Sequence, residues 1–184
     1  MPQARRAMCM SRLLAAAITS SLLLGASSVR AAAPMLGQAL SESDVAAWDI
    51  SIGPDGAGLP AGSGTSAQGA TVYAAKCLAC HGEKGGGGAG GRLAGGGPLV
   101  GPRDPIITVG NYWQYATTLF DFTRRTMPWT EPKSLTSDEV YAVTAYVLHI
   151  NGIIGESDVM NADTLPKVRM PNRDGFIVVY PAKK

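Results

Sequence analysis

The sequence predicts a small all-α domain, and three observations carry that expectation. Thr136 followed by Glu139 is a capping box, and it opens an apolar stripe of Val140, Val143, Val147 and Ile150. A second stripe of Trp113, Ala116, Leu119 and Phe120 repeats at helical spacing and stops at Met127-Pro128. Gly69, Tyr73 and Cys77 recur every fourth residue, which puts them on one helical face.

Taken in order, the chain opens on Arg5, Arg6 and Arg12, followed by an apolar run from Leu13 to Ala26 and small residues around Val29-Arg30-Ala31. Residues 1–31 read as a secretory signal peptide cleaved after Ala31, with Ala33 as the alternative, because the run is too short to span a bilayer. Left uncleaved, the segment would be an anchor. Residues 32–66 are rich in Gly, Pro, Ser and Ala and read as a leader. The predicted domain spans 67–152. Its first helix covers 67–79, a glycine-dense loop follows from Gly85 to Gly97, and a second helix covers 112–125. The capped third helix ends at Asn151-Gly152. Residues 153–184 form a C-terminal extension punctuated by Pro166, Pro171 and Pro181, read either as a partner-docking tail or as a wrap around the domain.

Export changes the charge balance. Loss of Arg5, Arg6, Arg12 and Arg30 takes Lys+Arg from 16 to 12 against 14 Asp+Glu, so the formal charge moves from +2 to −2. Nucleic-acid binding thereby loses its compositional support, and no membrane association is expected after cleavage. Cys9 leaves with the signal, and one cysteine pair remains for an oxidising compartment.

That pair lies in Cys77-Leu78-Ala79-Cys80-His81, the attachment pentapeptide of a c-type haem. On a helical turn, thiols three residues apart can each add to a vinyl group on one porphyrin edge, and the adjacent imidazole then faces the iron. A zinc site needs about four ligands, and His149 is the one other histidine. A dithiol of the thioredoxin kind needs a βαβ setting, and a plain disulfide does not account for the histidine. One covalent haem is therefore expected, on Cys77 and Cys80, with His81 as an axial ligand. Candidates for the second axial ligand are Met35, Met127, Met160, Met170 and His149. Met127 is favoured because its Met-Pro turn falls between the second and third helices; Met170, in a second Met-Pro turn, is the alternative. Histidine–methionine ligation raises the haem potential and leaves no open iron position. Further expectations are that Gly69 and Tyr73 meet Ala145 and Tyr146 across a helix crossing, and that Pro98 or a carbonyl in 93–99 accepts from the second nitrogen of His81. Tyr112, Trp113, Arg124 and Arg125 are candidates for the haem propionates.

The order helix, Cys77–His81, glycine-rich loop, Met127-Pro128 and capped helix ending in Tyr146 resembles the class I cytochrome c family. That resemblance implies the class I cytochrome c fold, with helices packed around one covalent haem and extensions at both termini. A second resemblance rests on Trp48-Asp49-Ile50, Pro54-Asp55-Gly56, Gly58-Leu59-Pro60, Val109-Gly110-Asn111-Tyr112-Trp113 and Arg124-Arg125-Thr126-Met127-Pro128. Ser134-Leu135-Thr136, Thr144-Ala145-Tyr146 and the run from Met170 to Phe176 extend it. These stretches are similar to the cytochrome c subunits of periplasmic sulfite dehydrogenases and of the sulfane dehydrogenase of thiosulfate oxidation. The resemblance implies a periplasmic, non-catalytic haem subunit that takes electrons from a molybdenum-cofactor dehydrogenase subunit and passes them to a downstream cytochrome or oxidase. It also implies Met127 as the ligand. The chain departs from dihaem members of that group, since it has one Cys-x-x-Cys-His. The competing functions are a free-diffusing shuttle to a terminal oxidase and, from another class, a haem sensor or peroxidase, which requires an open or labile iron position.

Overall fold

A computed structural model describes residues 36–101, 104–177 and 179. The expected signal peptide and Met35 lie outside the described residues. Residues 36–41 belong to a unit, Met1–Ser41, separate from the unit Glu42–Lys184, and carry no helix or strand. Among the described residues no helix is long and apolar enough to cross a membrane.

The elements are α1 (Glu42–Trp48), β1 (Ser63–Thr65), α2 (Ser66–Lys76), α3 (Leu78–His81), a 3-10 turn (Glu83–Gly85), α4 (Val109–Tyr112) and α5 (Ala116–Thr126). They continue as α6 (Ser137–Ile150), β2 (Val159–Asn161) and a second 3-10 turn (Leu165–Lys167). The fold is all-α with a minor two-stranded ladder.

Helix α6 is the spine. Its N-terminus is closed by the expected box: Thr136 N–H donates to Glu139 Oε2 at 2.8 Å, and Glu139 N–H to Thr136 Oγ1 at 3.3 Å. Val140, Val143, Val147 and Leu148 are all buried, and the ring of Tyr141 lies 4.4 Å from that of Phe120 on α5. Helix α2 crosses α6 at Gly69, where a β-carbon would overlap the carbonyl of Ala142 and press on Tyr146. The crossing thus includes the expected Tyr146, with Ala142 as the nearest neighbour of Gly69, and Tyr73 meets Tyr146 with ring centres 4.9 Å apart.

Two helices differ from their predicted spans. The first ends at Lys76, since Cys77 (φ −124°, ψ −33°) separates it from the single turn of α3. The stretch 112–125 is broken: α4 is capped at Thr108, and Trp113 and Tyr115 are extended before α5 begins. The C-terminal segment explains the break. Asn172 Nδ2 donates to the Tyr112 carbonyl at 2.6 Å, Gln114 Nε2 donates to the Arg173 carbonyl at 3.1 Å, and the Arg173 guanidinium lies 4.1 Å from the Tyr115 ring centre. Contacts from some sixty residues away thereby replace helical hydrogen bonds.

Both flanks of the helical domain are bound to it. Gly64 pairs with Met160 in the antiparallel β1–β2 ladder. Met160, Leu165 and Met170 are buried in the same core as Phe120 and Tyr141. Ahead of β1, Tyr141 Oη donates to the Pro60 carbonyl at 2.9 Å, Thr117 Oγ1 to Pro54 at 3.3 Å, and Ile52 N–H to Asp121 at 3.2 Å. The C-terminal segment through Met170 is therefore a wrap rather than a free tail.

Candidate functional site

The pentapeptide occupies a tight helical bend. Cys77 N–H donates to the Tyr73 carbonyl at 2.9 Å, and both Cys80 and His81 donate back to the Cys77 carbonyl, at 3.1 and 2.9 Å. Cys77 and Cys80 are not joined in a disulfide. Burial, reinforced by the neighbouring Cys80, pushes the Cys77 thiol up to about 11.

His81 is held at one ring nitrogen. Its Nδ1 lies 2.9 Å from the Gly91 carbonyl, so Nδ1 carries a proton and donates, which makes Nε2 the ring atom available as a ligand. The acceptor is earlier in the loop than the expected 93–99. The reason is the close approach of the loop to the motif. Gly90 N–H donates to the Cys80 carbonyl at 2.8 Å, and Gly87 N–H to the His81 carbonyl at 2.8 Å. A β-carbon at Gly90 would sit 3.0 Å from Cys80 Cβ and 3.1 Å from His81 Cε1. Glycine lets the backbone itself cover the motif, and a larger residue would have to push these side chains back by a few tenths of an ångström.

These residues open onto a cavity of about 520 Å³. Tyr73, Cys77, Cys80 and His81 line it from α2 and α3, Val143 and Val147 from α6, and Leu119, Phe122 and Thr123 from α5. Met127 and Pro128 line it from the segment that follows α5, and Leu93, Val109 and Trp113 complete its apolar wall. Cys77, Cys80, His81 and Met127 are thus brought to one space. The other candidate ligands are placed elsewhere: Met160 and Met170 are core residues, 4% and 1% exposed, and His149 Nδ1 lies 3.3 Å from the Ile154 carbonyl.

The donor set fits a c-type haem. Two thiols on one turn, an imidazole with a free Nε2 and a thioether share an apolar chamber within the range of about 300–1,000 Å³ usual for cofactor sites. Of the propionate candidates, Trp113 lines the chamber. Arg125 instead pairs with Asp121 at 2.6 Å, and the Tyr112 ring packs edge-on against Phe176 at 5.2 Å.

Several lining residues have no counterpart in the expectations drawn from sequence. Phe122 lies three residues past Leu119 on the same α5 face and packs edge-on against Trp113 at 5.7 Å. Helical spacing from Leu119 could have found it. Trp129 lies against the chamber yet is 80% exposed. It follows the Met-Pro turn at a position where no periodicity applies.

Comparison with known proteins bears on both fold and site. Residues 64–147 match the family model described as cytochrome C oxidase, cbb3-type, subunit III. The chain is 38% identical to a chain of the crystal structure of the sulfane dehydrogenase SoxCD from Paracoccus pantotrophus, covering 78% of this chain and 71% of that one with a TM-score of 0.72. No curated protein matches the chain.

Proposed function

The chain belongs to the class I cytochrome c family, and from that premise we propose that it is a periplasmic monohaem electron carrier, the haem subunit of a sulfite or sulfane dehydrogenase. The observation that carries the reading is the meeting of Cys77, Cys80, His81 and Met127 in one apolar chamber. Cys77 and Cys80 would hold a haem covalently, each thiol adding its S–H across one vinyl group to leave a thioether. His81 Nε2 and the Met127 thioether would hold its iron. The haem so held supplies a one-electron acceptor and donor.

The residues of the chain set the conditions for that chemistry. The Gly91 carbonyl holds the His81 Nδ1 proton and keeps the ring in one orientation. Leu119, Val143 and Val147 give the chamber apolar walls, which favour the less charged, reduced state. Methionine as the second ligand raises the potential further and closes the iron to oxygen chemistry, which disfavours a sensor or peroxidase. Residues 1–31 are the proposed export signal, and delivery to the periplasm supplies the compartment where c-type haems are attached. The likeness to the sulfane dehydrogenase favours a molybdenum-cofactor partner over a free shuttle. Electrons would leave to a downstream cytochrome or oxidase.

The test is expression in the periplasm with haem-attachment machinery. One covalently bound haem by intact mass, a methionine–iron charge-transfer band when oxidised, and reduction by sulfite through a co-expressed molybdenum dehydrogenase are expected. A chain that takes up no haem, or two, overturns the assignment. Haem reduced by no sulfur compound through that enzyme returns the protein to the shuttle reading.

A further inference from the structure

We propose that Asn151, at the C-terminal end of α6, is a positioning residue for the His81 imidazole and acts through the glycine-rich loop; the proposal rests on His81 being an iron ligand. The acceptor for His81 Nδ1 is the Gly91 carbonyl. From Gly85 to Gly91 the loop has one side chain, the methyl of Ala89, so it cannot hold its own shape by packing. Its shape rests on hydrogen bonds, from Gly87 and Gly90 to the motif and from Arg92 Nε to the Gly86 carbonyl at 3.0 Å, and Asn151 adds a tie to α6 where the loop returns. Asn151 Nδ2 donates to the Leu93 carbonyl at 3.2 Å, and its Oδ1 accepts from Gly95 N–H at 3.3 Å. The same Nδ2 donates to the Val147 carbonyl at 2.8 Å, which ties the amide to a helix turn that lines the chamber.

The tie reaches Gly91 over two residues of chain. Leu93 N–H and Ala94 N–H both donate to the Gly85 carbonyl, at 2.8 and 3.1 Å, which closes the loop on itself. Leu93, fixed by that closure and by Asn151, also lines the chamber. The amide has little room to turn, because a β-carbon on Gly110 of α4 would overlap Asn151 Oδ1. The job calls for two donors and one acceptor in a planar group. Asparagine supplies all three, aspartate retains the acceptor alone, and alanine retains none.

The experiment reads the His81 ring proton in reduced holoprotein labelled with 15N-histidine. Asn151→Ala is expected to speed exchange of the Nδ1 proton by roughly tenfold or more, the size of one or two lost hydrogen bonds, and to move the Nδ1 shift. Asn151→Asp, which retains the acceptor for Gly95, is expected to move both readouts in the same direction and serves if the alanine variant does not accumulate. Asn161→Ala removes turn hydrogen bonds to Asp163 and Thr164 on the C-terminal wrap and is the control for loss of stability alone. It should lower the melting temperature without that acceleration. Wild-type exchange in both Asn151 variants overturns the proposal, as does equal acceleration in Asn161→Ala at equal loss of stability. A wild-type chain without covalent haem overturns this proposal together with the function it rests on.

Discussion

Met127 and Met170 both stand before a proline, yet the fold gives them opposite surroundings. Met127 is half-buried at the chamber, while Met170 is 1% exposed in the core with Leu165 and Phe120. Met127→Ala is therefore expected to abolish the methionine–iron absorption and lower the haem potential, with a minor change in stability. Met170→Ala should retain both signals and cost about 2–5 kcal/mol, the range for truncating a buried methionine. Optical spectra, redox titration and thermal melts of the two variants separate the roles, and an exchange of phenotypes would move the ligand to the C-terminal segment. Much of this residue-level chemistry was legible in the sequence, because the pentapeptide encodes its own geometry in a spacing of three. The His81 acceptor was not. It is a backbone carbonyl in a run of glycines, and a main-chain group leaves no residue type to read.

Helices differ in how locally they are determined. Helix α6 was legible because its cap and its stripe lie within its own sequence, and the 112–125 stretch was misread because Asn172 and Arg173 decide where it breaks. The capping box also gives α6 a pH dependence. Glu139 is held below its ordinary 4.5, chiefly by the Thr136 backbone N–H. A carboxylate with a lowered folded value stabilises fully above the unfolded value of 4.5, and that contribution fades as pH falls through the lower folded value. Glu139→Gln, which does not titrate, should flatten this part of the stability–pH curve in denaturant titrations between about pH 3 and 6. Thr136→Ala should cost about 1 kcal/mol at neutral pH, a fall of roughly 2–4 °C in melting temperature. At the α2–α6 crossing, Gly69→Val should be far more damaging than either, since its branched side chain has to displace the Ala142 carbonyl from a helix interior.

At the scale of the whole molecule, the wrap and the chamber make competing claims on stability. Met160, Leu165 and Met170 stand five residues apart, a spacing that matches neither helix nor strand, so nothing in the sequence marked them as core. Removing 153–184 would uncover the α5–α6 core and unpair β1, so that truncation is expected to unfold the domain rather than leave a docking-deficient carrier. The chamber makes a demand of its own. Its walls are largely apolar, Leu119, Val143, Val147, Val109 and Trp113 among them, and left unfilled they face water at about 25 cal/mol per Å² of apolar surface. A haem filling it would be part of the core; being covalently attached it stays on the unfolded chain as well, so it would stabilise the native state by burying its apolar faces and by axial ligation there. Cys77→Ser with Cys80→Ser, expressed in the periplasm, is expected to yield protein that is largely unfolded by circular dichroism or is degraded. A cysteine-free chain with native helicity and a sharp cooperative melt would show that helix packing suffices without the haem, and would sink the argument that the chamber must be filled for the domain to fold.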